Sequence, residues 1–471
     1  MTNKFILISL LLFPLVLFAQ NDTISGSTTN QFKKRVLESA EIDILTSFYT
    51  QDGKNAAVTG GIGTEQLNDF ASNITISVPL NEDDILTIDA TVSAYSSASS
   101  SNLNPFSEET RPITGTPWVA SSGASRSDVW VNGKIGYSHA SDDRNNIYST
   151  DISFAHEFDY ISFGTGFGLI KLFNQKNTEL SFGLNLYIDF WLPQYPIELK
   201  TYIHNNGDLY AGIFNGVQIL DSIGNPINKY GTYKWKPLNN YLINDKGRNT
   251  YSFSIGLSQI LSKKMQFSIF SDLTYQTGWL SNPMQRVYFA DVDNFYIGNA
   301  SSIPNYSNPS NINIFQLADD IERLPNNRLK IPIGLRLNYY VNEFIVVRTY
   351  YRYYFDDWGI NSNTYNIELA IKFRNKFTLY PNYRFYNQTE ADYFSPFEQN
   401  LSTSTYYTSD YDLSKFNSYQ VGFGLKYTDI LTQRHLWKFR LKNIYLNYNY
   451  YERNTGLKAH IVSLGTKIIF D

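Results

Sequence analysis

The chain has 471 residues and a mass of 54.2 kDa, with 16% aromatic and only 17% charged side chains. The aromatic content excludes a disordered chain, and the absence of cysteine excludes disulfide scaffolds, thiolate metal centres and thiol nucleophiles. With 39 basic against 43 acidic residues and a net charge of −4, no electrostatic case for nucleic acid exists, and a mean hydropathy of −0.31 excludes a bundle of membrane helices.

Residues 1–19 read as a signal peptide. Lys4 supplies a basic start, and Phe5 to Phe18 form an apolar run too short to cross a bilayer comfortably. Ala19 is the small residue before the expected cut, and no cysteine follows to take a lipid. Residues 20–37 are then a polar periplasmic tail, and 38–471 a single further domain. A chain with this leader is expected in the envelope of a Gram-negative bacterium.

From residue 38 onward apolar and polar residues alternate. Leu86, Ile88, Ala90, Val92 and Ala94 share one face, with Thr87, Asp89, Thr91 and Ser93 on the other. The same alternation recurs at Leu180–Phe190, Leu329–Tyr339 and Tyr365–Phe373. Period two over ten or more residues predicts long strands. They are expected at 38–49, 68–79, 84–98, 125–140, 145–157, 159–172, 177–190, 249–260, 264–278, 328–341, 343–356, 363–374, 376–388, 416–427, 437–452 and 457–470. That is about 16 strands, within a range of 14–18, each long enough to cross a bilayer at a tilt.

The connections fall into two alternating classes. Short turns such as Asn81-Glu82-Asp83, Asn174-Gln175-Lys176 and Val341-Asn342 alternate with positions that include every long connection: about 50–67, 99–124, 191–248, 279–327 and 389–415. Long loops confined to one end, with both termini at the other, predict an all-β transmembrane antiparallel up-and-down β-barrel with long extracellular loops and short periplasmic turns. A secreted soluble β-protein is the competing fold.

Two aromatic clusters, Tyr350 to Trp358 and Tyr445 to Tyr451, suit the girdle where a ring is half apolar and half wet. At the C-terminus, Val462, Leu464, Thr466, Ile468 and Phe470 share a face. This pattern is similar to the terminal signal by which barrel assembly machinery recognises its clients, with Asp471 following the aromatic.

Asp52 to Glu65 (DGKNAAVTGGIGTE), Ser121 to Ser125 and Asp356 to Ile360 together resemble a family of bacterial outer-membrane proteins catalogued as a domain of unknown function. The resemblance covers nearly the whole mature chain. It implies no activity of its own. Family members can be encoded near flavin-attachment and thioredoxin-like proteins, so the resemblance implies a role in envelope electron transfer or modified-protein export.

The inward parity of the early strands carries Asp89, Asp128, Asp151, Glu179, Asp189 and Asp272. That of the later strands carries Lys330, Arg336, Arg348, Arg352, Lys372, Arg384 and Lys426. These residues either line a channel, with a transverse field between an acidic and a basic wall, or pair into a structural network that fills the lumen. Gly60-Gly61-Ile62-Gly63 lacks the glycine pattern and helix of a nucleotide site and is expected to be flexible loop. Asp356 to Asn361 loosely suggests a calcium loop without its terminal Glu, and a tight turn is preferred; Asp291 to Asn294 is treated alike. His156 with Glu157 and Asp159 lacks a partnered nucleophile and reads as a rim turn. Trp235, Tyr241, Trp279, Phe289, Phe295 and Tyr306 in the two longest loops either stack on ligands or build a cap, and the cap is favoured.

No catalytic residue, metal or cofactor is expected. The predicted function is a passive porin-like channel for small polar solutes or ions. The alternatives are a non-conducting scaffold of an envelope assembly for export or electron transfer, with periplasmic or envelope protein partners, and, remotely, a surface hydrolase. Partners otherwise are outer-membrane lipid and the assembly machinery, and no oligomeric interface is legible.

Overall fold

A computed structural model describes residues 35–96, 127–208, 216–228, 230–239, 246–307, 314–429 and 435–470. The expected signal peptide, most of the tail and the motif Ser121 to Ser125 lie outside them. Sixteen long strands form the body: β1 Ala40–Asp52, β2 Leu67–Pro79, β3 Asp84–Ser96, β4 Ser127–Ala140, β5 Asn146–Glu157, β6 Tyr160–Phe173, β7 Thr178–Trp191, β8 Gly247–Ser262, β9 Met265–Gly278, β10 Asn327–Asn342, β11 Ile345–Asp356, β12 Asn361–Phe373, β13 Phe377–Gln388, β14 Phe416–Thr428, β15 Phe439–Arg453 and β16 Lys458–Phe470. Each pairs antiparallel with its sequence neighbours. The ring closes where β1 pairs with β16, from Ala40 opposite Phe470 to Asp52 opposite Lys458. Closure leaves no free edge, which a lipid environment demands.

The turns at the chain-terminal end are short because their side chains satisfy the backbone locally. Asn81 Oδ1 accepts from the amides of Asp83 (2.8 Å) and Asp84 (2.9 Å). Asn342 does the same for Phe344 (2.9 Å) and Ile345 (3.0 Å). Asn is suited to this role, since its side chain mimics the backbone of a turn.

One pleat of every strand is a greasy exterior. Phe70, Ile74, Ile88, Val92, Ile135, Ile152, Phe163, Leu184, Phe253, Ile367, Val421 and Leu464 all stand exposed on it. In a closed barrel such a row has no protein to pack against, and lipid is the solvent that makes its exposure favourable. The chain is therefore a transmembrane barrel of the outer-membrane type. Ile152 lies mid-strand and is 63% exposed, so Ile152→Arg should cost ~2–4 kcal/mol of barrel stability in bilayers. Urea titration in vesicles, followed by tryptophan fluorescence, measures this; an unchanged midpoint would place that face away from lipid.

The expected aromatic girdle divides by parity. Tyr351, Tyr353 and Phe355 share a pleat with Tyr365, to which Tyr351 packs at 5.0 Å between ring centroids. Tyr350 and Tyr354 lie on the opposite pleat, opposite Arg336 and Pro332 of β10. Trp358 is buried under Arg328, 4.2 Å from its ring centroid, and donates to the Asn327 carbonyl at 2.9 Å. Part of each cluster therefore faces inward, because alternation sends neighbours in a strand to opposite sides.

Candidate functional site

The strand register gives all thirteen charged residues singled out from the sequence the parity opposite the greasy exterior. Asp89 faces Thr75 and Lys134; Asp128 faces Tyr95, Asp151 faces Gly136 and Gly166, and Glu179 faces Ser258. Asp189 faces Ser162 and Arg248, and Asp272 faces Ser254. Lys330 faces Asp356, Arg336 faces Tyr350, Arg348 faces Asn338 and Glu368, and Arg352 faces Gly334. Lys372 faces Thr378, Arg384 faces Asn366, and Lys426 faces Thr378.

The two halves are less segregated than the bare residue types suggest. Lys134 bonds Asp151 at 3.1 Å and Arg248 bonds Asp189 at 2.7 Å, which places two cations in the acidic half. In the basic half, Glu368 takes Arg348 at 2.8 Å. Arg336 lies between rings, 4.9 Å from Phe270 and 5.6 Å from Tyr350. Asp89 is held by Asn73 (3.1 Å) and Thr75 (2.5 Å). Local pairs shorten the reach of each charge, so only the uncompensated remainder is left to set up a transverse field. Lys134 and Arg248 sit on the same inward parity as their partners and were legible in the sequence on that ground.

At the long-loop end, the described parts of segments 192–246 and 279–326 build a folded body. Its core holds Leu199, Tyr202, Ile219 and Trp235 from the first segment and Tyr288, Phe295, Ile297, Phe315 and Leu317 from the second. Two-residue and three-residue strands join them, Ile219–Leu220 and Ile314–Gln316 flanking Tyr296–Gly298. Trp235 packs edge-on against Tyr202 at 5.3 Å and donates to the Ala318 carbonyl at 3.2 Å. At its centre Arg286 grips Glu198 through two bonds of 2.7 and 3.3 Å, both side chains wholly buried. Glu198 belongs to a short helix, α1 (Ile197–His204). Burial pushes the Tyr288 phenol far above its ordinary range, so it stays a neutral donor.

Segments 53–66 and 389–415 join the same body. Arg286 Nη1 donates to the Val58 carbonyl at 3.0 Å. Gly60, in the left-handed region at φ 78°, lies so close to the Tyr288 ring that a Cβ there would stand 2.6 Å from it. The Gly60–Gly63 stretch, expected as flexible loop, is instead packed, and glycine is needed because the opposing ring leaves no side-chain room. Phe289 meets Tyr407 edge-on at 4.9 Å, and Asp291 accepts from Ser402 at 2.8 Å through both amide and hydroxyl.

Ring order gives these contacts their meaning. The β1–β2 hairpin and the β9–β10 hairpin are eight strands apart, half of the sixteen-strand ring. Such a barrel is roughly 30 Å across, from a strand spacing of about 4.8 Å and a tilt of about 40°. Contact between Val58 or Gly60 and Arg286 or Tyr288 therefore joins opposite rims, and the body crosses the mouth as a cap. Phe289, Phe295 and Trp235 serve it as the sequence led one to expect. Tyr241 lies outside the described residues.

The remaining candidates resolve simply. Asp356 accepts from Arg328 (2.5 Å), Tyr354 (2.6 Å) and the amides of Trp358 and Ile360 (both 3.0 Å), so its oxygens are committed to a turn. His156 shares the outward parity of Val131, while Glu157 faces Tyr160 on the inner one. The two cannot act as a pair, because adjacent strand residues point apart.

Comparison of the fold with solved structures finds only coarse likeness. A bacterial polysaccharide outer membrane secretin matches at a TM-score of 0.41 and 8% identity, over 92% of this chain and 99% of that one. A Pseudomonas aeruginosa FadL homologue matches at 0.38 and 8%, over 92% and 91%. Pseudomonas aeruginosa OccK1 (OpdK) matches at 0.35 and 8%, over 92% and 98%. Likeness at this level is one of gross barrel form, and nothing about those proteins' solutes transfers. No curated protein matches the sequence. The family model described as protein of unknown function (DUF3570) matches residues 7–466.

Proposed function

The chain belongs to the DUF3570 family, and we propose that it is a passive, porin-like channel for small polar solutes in the outer membrane of a Gram-negative bacterium. The observation that carries this reading is the inner wall: a closed sixteen-strand ring whose inward parity carries most of the strands' charged and polar residues, with charges left over after local pairing. A barrel built only as an anchor has no need of a wet interior this wide. The thirteen inward charges line the path, and the cap narrows its outer mouth. Phe470 on the last strand, paired to Ala40 and Phe439, is the residue offered to the assembly machinery.

Planar-bilayer recording tests this. The parent protein should give a small, steady conductance. Replacing residues 192–246 and 279–326 by short turns should raise it severalfold, because the cap crosses the mouth. The packed cap also favours a second reading, a non-conducting scaffold for periplasmic or envelope partners. Silence in both parent and cap-deleted protein would establish that reading and end the first.

A further inference from the structure

Under the cap, at the outer end of β11–β15, the barrel wall is indented by a half-open cavity of about 320 Å³. Arg352, Arg384 and Arg453 line it, with the rings of Tyr386, Phe416 and Tyr451 and the carboxylate of Asp412. Register explains the convergence. Arg352, Thr364, Tyr386, Ser418 and Arg453 lie in one row across β11 to β15, and Arg384 lies two residues before Tyr386 on β13.

The charge does not balance. Of the lining residues three carry a guanidinium and one a carboxylate, and Asp412 is already taken by Arg453 at 2.6 Å, while Glu65 and Asp410 act on Arg453 from outside the lining and leave Arg352 and Arg384 as the surplus. Arg453 is further fixed by the Tyr451 hydroxyl at 2.8 Å and by the Phe416 ring, 4.5 Å from its guanidinium carbon. Arg352 and Arg384 form no ion pair among the described residues, and Arg352 Nε is buried without an acceptor. A buried N–H left empty is costly, and a fork of such groups is shaped to take a carboxylate through two parallel bonds. The roof is held in place as well. Gln388 Nε2 donates to the carbonyls of Asp412 (3.0 Å) and Ser414 (2.6 Å), which ties segment 389–415 to the wall.

We propose that the Arg352–Arg384–Arg453 cavity is a binding site for a small organic carboxylate, with the guanidinium groups taking the carboxylate and the aromatic rings the carbon body. The site deepens the channel reading by naming its class of solute. Asp412 is a resident competitor that occupies Arg453 and tempers affinity, as a solute that must also leave requires.

Calorimetric titration of the detergent-solubilised full chain with benzoate, succinate, inorganic phosphate and choline tests the site apart from conduction. Benzoate or succinate should bind saturably. Arg352→Gln and Arg384→Gln should each weaken that binding about tenfold, and Lys263→Gln in the distant β8–β9 turn should leave it unchanged. Asp412→Asn should tighten binding about threefold by removing the competing charge, whereas a purely structural role would weaken it. Heat-modifiable gel mobility verifies that each variant remains a folded barrel. No saturable binding, binding of phosphate alone, equal binding of choline, or indifference to both arginine variants overturns the proposal. A protein that binds benzoate without conducting keeps the site and loses the channel; one that conducts without binding does the reverse.

Discussion

Arg286→Ala will release the cap from the mouth while the barrel stays folded. The expected loss of cap stability is about 3–5 kcal/mol, the usual consequence of stranding one member of a buried ion pair. Glu198 would be left wholly buried with no countercharge, and the Val58 carbonyl would lose its donor from the opposite rim. The strands have their own closed ladder and do not depend on this pair. Limited proteolysis of vesicle-inserted protein reads the effect as rapid cleavage within 192–246 and 279–326, with the heat-modifiable barrel retained and conductance raised. The double variant Glu198→Leu/Arg286→Met should recover most of the protection, since an apolar pair fills the site without charge. A single variant as resistant as the parent would show that the pair does not hold the cap.

Raising the pH from about 5 to about 9 should loosen the same cap. Burial pushes the Glu322 carboxyl up to about 8 and that of Asp319 up to about 7. Asp410 adds like charge beside Glu322, and Glu398, Asp320 and Asp291 do so beside Asp319. Glu322 accepts from the Asn282 amide and the Thr408 hydroxyl, both at 2.6 Å, and so joins two loops. Asp319 accepts from the Phe289 amide at 2.9 Å. Both acids hold their protons more tightly folded than unfolded. Their contribution is therefore complete below the ordinary carboxylate range, and it declines as pH climbs toward 7 for Asp319 and 8 for Glu322. Within that window each titrating group removes about 1.4 kcal/mol per pH unit. Loop cleavage rates, corrected for the protease's own pH profile, should rise across the range, and Glu322→Gln should flatten the rise. Constant or increasing protection at alkaline pH would contradict the assignment.

Both predictions concern the cap, the part of the molecule least legible in the sequence. Glu198 and Arg286 stand 88 residues apart, and Arg286 and Val58 stand 228 apart. No periodicity links them, because irregular segments carry no repeating geometry from which a contact could be read. Gly60 looked like slack and proved to be a close approach, a distinction that depends on what lies opposite and not on glycine itself. The arginine cavity is an intermediate case. The inward parity of Arg352 and Arg384 could be read directly, whereas their meeting with Arg453 and Asp412 required the β13–β14 loop to fold back against the wall.

By itself the sequence determined the number of strands to within two, their limits to within a few residues, which pleat of each is apolar, and which end bears the long loops. Those properties are local: a pleated strand repeats every two residues, and turn residues mark its ends. Only the tertiary structure decided that loops from opposite rims meet above the lumen, and which inward charges cancel and which remain. Closing the ring brings into contact residues whose separation along the chain carries no information about their distance in space.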